Sequence, residues 1–535
     1  MFPLDTHPLP VPPVPLPSAS APGALRPECV TDEPPPGPPP DGSGPGRAGA
    51  RQPEPPGLLD ADWAATSQVT RLLCATAHLQ GDYAEEVIGQ LLDPSFTAIA
   101  PAWGLDPVAL AMHAKDSQAR RRHRDRNLRH CLATMVATPL LVLSLYVGQA
   151  LSPFSAALAI MAASLGGLIA AWMIVFGHYE QVRISALESM DARMPPRQTA
   201  PQLDAGTMER LQQLAEGNVV VFGGYQPFIG CGVPLDSWTI CIDVEPAPGP
   251  AGSPGRIVPF DALDLHRHLL RVIPPQTPGD LWASSRLFVN GSAAGSVPDL
   301  VPAPSEPDTW PATRLPDEVL DRYTRKPSQA ARTYVCLVQP AWGGELVVST
   351  LTRAELAGGK LFVEGRTHAL LPPKATFREV KWVPKQPRRA WIAVARAALP
   401  VTVPLLLGSF QRKLDLMKGT RRFLRNRERM RRKLREGHPL NYGASSTLRE
   451  DCAAAGELKY YATVDEVRSF MTLKRQILVA VDRFLGMHGL ATDEFRRQSE
   501  ATLHETTVHL HDLAASADSF GPRNTVTVGT GITHG

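Results

Sequence analysis

The hydrophobic pattern of the chain is dominated by one long apolar run between Cys131 and Gly177. These 47 consecutive residues include no Asp, Glu, Lys or Arg. One membrane-spanning helix needs about 20 apolar residues, so the run is long enough for two helices and a turn. The QALSP sequence near its centre is typical of a turn. The pattern therefore predicts a transmembrane helical hairpin over 131–177, with spans at about 131–149 and 154–177.

Small side chains recur at every fourth position of the second predicted span. The set consists of Ser155, Ala159, Ala163, Gly167 and Ala171. Small residues let helix backbones approach closely in lipid, so a stripe of them indicates a packing face. We favour packing within the hairpin, and the alternative is a homo-oligomer that assembles through this second transmembrane helix.

A second apolar run, AWIAVARAALPVTVPLLLGSF, covers residues 390–410. It contains Arg396, which costs about 3 kcal/mol at the centre of a bilayer, and it is interrupted by Pro400 and Pro404. Basic residues flank both of its ends, so a single crossing would place one basic flank outside the cell. The pattern favours a segment that lies at the membrane interface over one that spans the membrane.

The next segment, 411–436, holds twelve Lys or Arg residues against three acidic ones. Beside a membrane, such a segment is attracted to anionic headgroups. We therefore predict that 390–436 forms an interface region, made of the apolar segment and a basic helix, and that the lipid bilayer is a partner through 411–436. No nucleic acid partner is expected, because the whole chain carries a net charge of only +3.

The charged flanks of the hairpin predict its orientation. Seven basic residues precede the first span, three follow the second span, and the turn between them carries no charge. Basic residues accumulate on the cytoplasmic side of membrane proteins, so both termini are expected in the cytoplasm. The predicted location is the cell (plasma) membrane, with a multi-pass topology.

The N-terminal part divides into a tail and a helical region. Residues 1–57 hold 19 Pro and few large apolar residues, so they cannot bury enough apolar surface to offset the entropy of ordering. We therefore expect residues 1–57 to form a disordered, Pro-rich tail. Residues 58–130 predict a cytosolic helical region, in which Asp106 caps a helix whose first residue is Pro107.

The C-terminal part predicts a helical region over 440–520 and a flexible tail over 521–535. Thr463 and Glu466 have the spacing of a capping box at the start of one helix. The apolar face of that helix stops at Gly489, a residue type that commonly ends helices. In the tail, Thr and Val alternate between Gly residues.

Between these regions the periodicity changes from helical to nearly two. Residues 205–383 predict a cytosolic α+β domain, in which a short helix precedes a mostly antiparallel, β-rich sheet with two inserted helices. The predicted strands are NVVVFGGYQPFIGCG, SWTICIDV, RLFVNG, TYVCLVQPAW, GELVVSTLTR and KLFVEGR. The predicted fold class is an α+β membrane protein that combines this domain with the two-helix hairpin, the C-terminal helices and the disordered N-terminus.

The sequence offers no convincing catalytic, cofactor-binding or metal-binding residues. The loop at 223–232, GGYQPFIGCG, follows a strand as a phosphate loop does, but it lacks a GK[ST] ending and leads into another strand. We favour a structured hairpin loop, and a ligand contact is the alternative. His266 and His268 are two positions apart on a predicted helix, so they face different sides and do not indicate a metal site.

Seven Cys residues are scattered through the chain and never have CxxC spacing. This pattern indicates a reduced, intracellular setting. Cys231 and Cys241 belong to one predicted hairpin, where we expect buried free thiols.

Several longer motifs are spread over most of residues 60–500. They are AEEVIGQLL…AIAPAWGLD, VVVFGGYQPFIGCG, AWGGELVVSTLTR with ALLPP, NYGASSTLRE and RQILVAVDRFLGMHGLATDEFRRQ. Together they resemble a family of uncharacterised membrane proteins from high-GC Gram-positive bacteria. The resemblance implies a shared membrane architecture, and it brings no activity, cofactor or catalytic residue with it.

The sequence thus predicts an integral membrane protein that is not an enzyme and whose hairpin anchors cytosolic interaction or regulatory modules. The α+β domain would bind an unknown protein partner or a ligand. One alternative is an oligomerising membrane-active effector, in which the stripe assembles hairpins and the 521–535 tail stacks as cross-β structure. Another alternative is an enzyme with an unrecognised site in 217–383.

Overall fold

The computed structural model describes residues 67–92, 97–248, 256–276, 281–301, 311–436, 440–454 and 460–518. The predicted disordered tail at 1–57 and the predicted flexible tail at 521–535 lie outside these residues.

The chain is helical before the sheet. The helices are α1 (Gln68–Leu79), α2 (Gly81–Leu91), α3 (Pro107–Val147), α4 (Pro153–Ser189) and α5 (Ala205–Ala215). The predicted start of α3 is confirmed, because Asp106 caps it by accepting hydrogen bonds from the backbone N–H groups of Val108 and Ala109. Apolar residues of α1, α2, α5 and the first turns of α3 form one core, which Leu448 and Cys452 join from far along the chain.

Six strands form one sheet. They are β1 (Val219–Phe222), β2 (Val233–Asp243), β3 (Trp282–Asn290), β4 (Ala331–Ala341), β5 (Leu346–Ala357) and β6 (Lys360–Leu370). Their order across the sheet is β1-β3-β4-β5-β6-β2. The pair β1–β3 is parallel and the other four pairs are antiparallel, so the expected mixed α+β class with a mostly antiparallel sheet is confirmed.

The predicted hairpin between the first two strands is wrong, because β1 and β2 lie at opposite edges of the sheet. The loop at 223–232 therefore crosses from one edge to the other. Its apolar side chains Phe228, Ile229 and Cys231 are buried. Their burial against the sheet favours the crossing over a tight hairpin.

The remaining helices are α6 (Ala262–Gln276), α7 (Asp317–Arg325), α8 (Pro387–Arg435), α9 (Leu448–Asp451), α10 (Tyr460–Met487) and α11 (Asp493–Asp518). Helices α6, α10 and α11 pack on one face of the sheet around a core that includes Ile240, Leu269 and Phe484. Gly489 follows α10 with φ +73°, as its predicted role at a helix end requires.

The capping box predicted at Thr463 and Glu466 is wrong, because both residues lie inside α10. A capping box is present instead at the start of α9, where Thr447 and Glu450 satisfy each other's backbone N–H groups. Both segments have the T-x-x-E spacing, which by itself does not indicate which one begins a helix.

The apolar segments of the chain form three long helices. The predicted fold class had only a two-helix hairpin. Besides α3 and α4, residues 390–410 belong to α8, which continues without interruption into the basic segment. The predicted apolar segment and basic helix are thus one helix of 49 residues. Pro400 and Pro404 each remove one helical hydrogen bond, but neighbouring residues of α8 are buried against α3 and α4, and this packing compensates.

Candidate functional site

The stripe of small residues lies on the inner face of the hairpin formed by α3 and α4. A side chain at Gly167 would collide with Met135 of α3, and Gly167 O accepts a hydrogen bond from Cys131 Sγ at 3.3 Å. Ala171 is fully buried. Gly166, one position away, has open space around it. The stripe therefore packs the two helices of the hairpin together, and a homo-oligomer through α4 stays a prediction.

Toward the tip of the hairpin both helices expose large apolar side chains. They include Val136, Leu140, Leu141, Leu143 and Val147 on α3, and Phe154, Leu158, Met161, Leu165 and Ile169 on α4. Among the described residues, α3, α4 and α8 are long and apolar enough to cross a membrane. An exposed apolar surface of this extent marks an interaction site, and it is compatible with membrane association.

The hydrogen bond between Cys131 and Gly167 shows which parts of the two antiparallel helices lie side by side. Within about two and a half turns of this bond, toward the base of the hairpin, lie residues 125–129 of α3 and 171–176 of α4. Charged residues begin in α3 at this level and continue toward its N-terminus. The level is thus the boundary between the apolar tip and the charged base.

Helix α8 crosses the hairpin at this boundary. The Trp391 ring packs on Phe176 with ring centroids 5.4 Å apart, and Arg412 pairs with Asp125. The stretch of α8 between these contacts has about 20 residues and is therefore about 30 Å long. The residues of α3 and α4 in these contacts lie on the base side of the Cys131–Gly167 hydrogen bond. Helix α8 therefore packs on the base of the hairpin and passes from α4 to α3.

An ion cluster attaches α8 to α3 at the crossing. Asp125 accepts hydrogen bonds from Arg412 at 2.9 and 3.2 Å and from Arg124 at 2.9 Å. Arg129 Nη1 lies 3.5 Å from Ser409 O. The side chains of Asp125 and Arg124 are almost buried, and a charge in such surroundings needs its partner. The cluster therefore fixes where α8 leaves the hairpin.

Beyond the crossing, α8 continues as the basic helix. Nearly every described side chain from Lys413 to Lys433 is exposed. The exposed apolar residues among them are Leu414, Leu416, Met417, Leu424 and Met430. A helix that exposes both apolar and basic side chains is suited to the surface of a membrane.

A second region of interest lies at the outer edge of β1, where three of the sequence motifs meet. Ala444 N donates to Val221 O at 2.9 Å, and Gly223 N donates to Ala444 O at 2.7 Å. The NYGASSTLRE segment thereby continues the sheet beyond β1. The AIAPAWGLD segment passes beside it, with Ala98 N donating to Tyr442 O at 2.6 Å.

The third motif is the GGYQPFIGCG loop, which crosses the sheet. The Phe228 ring packs edge-on against Phe288 and Tyr334, with ring centroids 5.3 Å apart in both pairs. Gly230 and Gly232 then return the chain to β2 with φ values of +91° and +87°, which glycine adopts without strain. The loop is a structural cover of the sheet, and it does not form the phosphate cradle that its glycines could suggest.

The AIAPAWGLD and NYGASSTLRE segments line a partly open cavity of about 310 Å³ between the helical region and the sheet. Its walls come from residues 97–107 and 444–448, from the ends of α2 and α5, and from Arg197 and Arg286. Arg286 is only 3% exposed, and its guanidinium carbon lies 4.0 Å from the centroid of the Trp103 ring. This stacking holds the cation against one wall of the cavity.

The other arginine of the cavity, Arg197, forms an ion pair with an aspartate. Arg197 donates to both carboxylate oxygens of Asp106, at 2.6 and 3.0 Å. The same carboxylate caps α3, so its acceptor positions are in use. Among the lining residues that the structure describes, only Asp106 is acidic.

The residues that the sequence singles out for chemistry do not come together. His266 Nε2 lies 2.9 Å from Ser285 Oγ, and burial lowers the pKa of His266 to about 4. Burial raises the pKa of the Cys231 thiol to about 12, so this thiol stays protonated and unreactive. Cys241 lies on β2, and both cysteines are free thiols. In the part of the chain that the structure describes, no group of three or more His, Cys, Asp or Glu residues could hold a metal ion.

Sequence reasoning missed the cavity. Trp103 was visible in the AWGLD motif, and Arg286 directly precedes the apolar LFV segment of β3. A polar residue in a buried strand is a recognisable signal. No sequence signal indicated that Arg197 lines the cavity, because its partner Asp106 is 91 residues away in sequence.

The fold and these sites define a mixed α+β protein with long apolar helices that are compatible with membrane association. The chain belongs to the AbeC-like domain family, which it matches over residues 237–514, just over half of its length. The match begins within β2 and ends within α11, so it includes α8, whereas the hairpin lies before it. No curated protein and no solved structure matches the chain.

Proposed function

We propose that the protein is a multi-pass integral membrane protein of the cell membrane and acts as a membrane-anchored interaction or regulatory module. The observation that carries this proposal is the crossing of α8 over the base of the hairpin. The exposed apolar tip lies on one side of the crossing, and the charged base and the sheet lie on the other. This arrangement suits a hairpin that spans the bilayer and a third helix that lies in the interface.

In this proposal both termini and the α+β domain are cytoplasmic. The basic flanks of the hairpin support that orientation. Arg396 is exposed on α8, where an interfacial position would let its charge reach the headgroups. The expected source, a high-GC Gram-positive bacterium, rests on the sequence motifs alone.

The proposed partners are anionic lipid headgroups, bound through 411–436, and a protein or ligand bound by the soluble part. Binding is favoured over catalysis because the described lining of the cavity offers hydroxyl groups without an imidazole or thiol to activate them. The effector alternative depends on the 521–535 tail, which lies outside the described residues, and on a stripe that faces α3.

Reporter fusions test the orientation of α8. Alkaline phosphatase, active only outside the cytoplasm, and green fluorescent protein, fluorescent only inside it, are fused after Gln149 and after Glu436. We expect phosphatase activity at the hairpin turn and fluorescence after Glu436. A fusion after Met190, which follows the second span, is the control and fluoresces whether or not α8 spans.

Phosphatase activity after Glu436 would mean that α8 crosses the bilayer, and the interfacial assignment would then be wrong. Fluorescence at all three positions would mean that the hairpin does not span, and it would contradict the proposed anchor itself.

A further inference from the structure

The place where α8 meets α3 brings three guanidinium groups together around one carboxylate. Arg124 and Arg412 both donate hydrogen bonds to Asp125. Arg129, one turn further along α3, has its Nη1 atom 3.5 Å from Ser409 O, and it forms no ion pair with a described residue. A surplus of positive charge at one place attracts an anion.

Two of these arginines lie close enough to bind the same ligand. Arg412 Nη2 donates to Leu405 O at 2.6 Å, and Arg129 lies beside Ser409 O. These two backbone oxygens are one turn apart on α8, which is about 6 Å along the helix. Both arginine side chains lie between α3 and α8 and are partly exposed, so a ligand can reach them. Guanidinium groups bind phosphate oxygens through pairs of N–H donors.

The level of these arginines indicates which phosphate they would meet. They lie at the boundary between the apolar tip and the charged base of the hairpin. In the proposed orientation this boundary is the cytoplasmic face of the bilayer, where basic pockets between helices bind phospholipid headgroups. An anionic headgroup is favoured, because the trimethylammonium group of phosphatidylcholine would add another cation beside the arginines.

The apolar side chains above the arginines favour a lipid over an inorganic phosphate. Val136 and Leu140 follow Arg129 by seven and eleven positions, which places all three on the same side of α3. Their side chains are 55% and 62% exposed. A phospholipid whose phosphate lies at Arg129 can extend its acyl chains over both side chains, whereas inorganic phosphate would leave them uncovered.

We propose that one anionic phospholipid binds where α8 meets α3, with its phosphate between Arg129 and Arg412 and its acyl chains along Val136 and Leu140. The inference rests on the proposed function, because it requires the hairpin to span the bilayer. It deepens that function by assigning one lipid to one place. The basic helix begins directly after Arg412, so a single phosphate would connect it to the hairpin.

Native mass spectrometry of the full chain in micelles of an uncharged detergent tests the proposal. Phosphatidylglycerol and phosphatidylcholine with identical acyl chains are titrated separately. We expect the first phosphatidylglycerol to bind about tenfold more tightly than the first phosphatidylcholine, because only its headgroup is anionic. Inorganic phosphate and glycerophosphoglycerol, at the concentration of the lipid, should not displace it, because both lack acyl chains.

Three variants assign this preference to the site. Arg129→Gln should reduce it to about twofold, because one of the two phosphate-binding cations is lost. Arg129→Lys keeps the charge without the paired donors and should retain part of the preference. Arg422→Gln is the matched control, because it removes the same charge from an exposed position of the basic helix, about 15 Å beyond Arg412 along α8. This control should keep the full preference.

Equal binding of the two lipids to the unchanged protein would overturn the proposal, as would an Arg129→Gln variant that keeps the tenfold preference. Equal losses in Arg129→Gln and Arg422→Gln would mean diffuse attraction to the basic helix instead of one site. Displacement by inorganic phosphate would mean an ion site without a role for the acyl chains.

Thermal unfolding shows whether each variant is folded. If Arg129→Gln is not, Arg129→Lys carries the test, and a preference that it retains in full would contradict the paired donors. The fusion reporters measure anchoring separately. A failed lipid site and a failed membrane anchor therefore give different results.

Discussion

Strand β2 is tied to its neighbours by two Lys–Asp pairs of nearly equal length. Lys474 Nζ lies 2.8 Å from Asp236 Oδ2, and the Lys474 side chain is 1% exposed. Lys360 Nζ lies 2.7 Å from Asp243 Oδ1, and its side chain is 49% exposed. Only the first cation is kept from water, so the two aspartates should differ strongly in their contribution to stability.

We expect Asp236→Asn to lower the free energy of unfolding by about 3 kcal/mol, because the buried Lys474 would lose the charge of Asp236. Asp243→Asn is the matched control and should cost far less, because water screens the exposed Lys360–Asp243 pair. Chemical unfolding of the full chain in detergent micelles measures both. Equal costs would show that burial of Lys474 does not determine the strength of its pair.

Glu466 of α10 gives the protein a pH-dependent stability. It is 6% exposed, and burial raises its pKa to about 7. The unfolded value is about 4.3, so the folded state binds the proton more tightly. Stability from this group is therefore full below about pH 4.3 and is lost as the pH rises to about 7. The difference of about 2.7 pH units corresponds to roughly 4 kcal/mol at most.

Glu466→Gln removes this dependence, because the amide has no proton to lose. Thermal unfolding should show the variant more stable than the unchanged protein at pH 8 and equal to it near pH 4. Glu209→Gln, at an exposed position of α5, serves as control and should leave the pH profile as it was. A pH profile that Glu466→Gln does not flatten would mean that other groups cause it.

Individual residues also show what the sequence could predict. Asp106 before Pro107 was identified as a cap because both signals act locally, within one turn. The pairing of Asp106 with Arg197 and the stacking of Arg286 on Trp103 depend on contacts that arise only after the helical region meets the sheet. The cavity could therefore not be derived from local patterns, although its walls lie in motifs that were recognised.

At the scale of single elements, α4 shows two neighbouring glycines in different surroundings. Gly167 lies against Met135, whereas Gly166 has open space. Gly167→Leu should push α3 and α4 apart and destabilise the hairpin by about 2 kcal/mol, the usual cost of overpacking. Gly166→Leu should leave stability unchanged. Thermal unfolding in micelles measures this difference.

The same two variants test the predicted homo-oligomer. If copies assemble through the outer face of α4, Gly166→Leu should change the particle mass measured by light scattering. If the stripe serves only the hairpin, that mass should stay constant, whatever Gly167→Leu does to stability. A stable Gly167→Leu variant of unchanged mass would contradict any packing role for the stripe.

Helix α8 was the element that the sequence predicted least well. Its apolar and basic parts were recognised, but Pro400 and Pro404 suggested that the apolar part is interrupted. Ala398 and Leu405, on either side of the prolines, are buried against the hairpin. Long-range packing thus supports the helix across positions that are locally unfavourable.

At the scale of the whole molecule, α8 connects the sheet to the C-terminal helices that cover it. Arg183 of α4 donates to Pro384 O at 3.1 Å, just before α8 begins. Two exposed tryptophans, Trp382 and Trp391, lie near this junction, as the aromatic residues of a membrane interface do. The soluble part is thus attached to the base of the hairpin at both ends of the sheet domain.

This geometry predicts that the lipid composition controls where the basic helix lies. A fluorescent amino acid at position 424, whose native Leu424 is exposed, reports its distance from lipids that carry a headgroup quencher. Quenching should be stronger in anionic than in neutral nanodiscs, and 0.5 M salt should reverse most of the difference, because the Debye length then falls below about 5 Å. Changing Arg421, Arg422 and Arg425 to Gln should have the same effect as salt. Quenching that is equal in both lipids would mean that the apolar side chains of α8, and not its charges, hold the helix at the membrane.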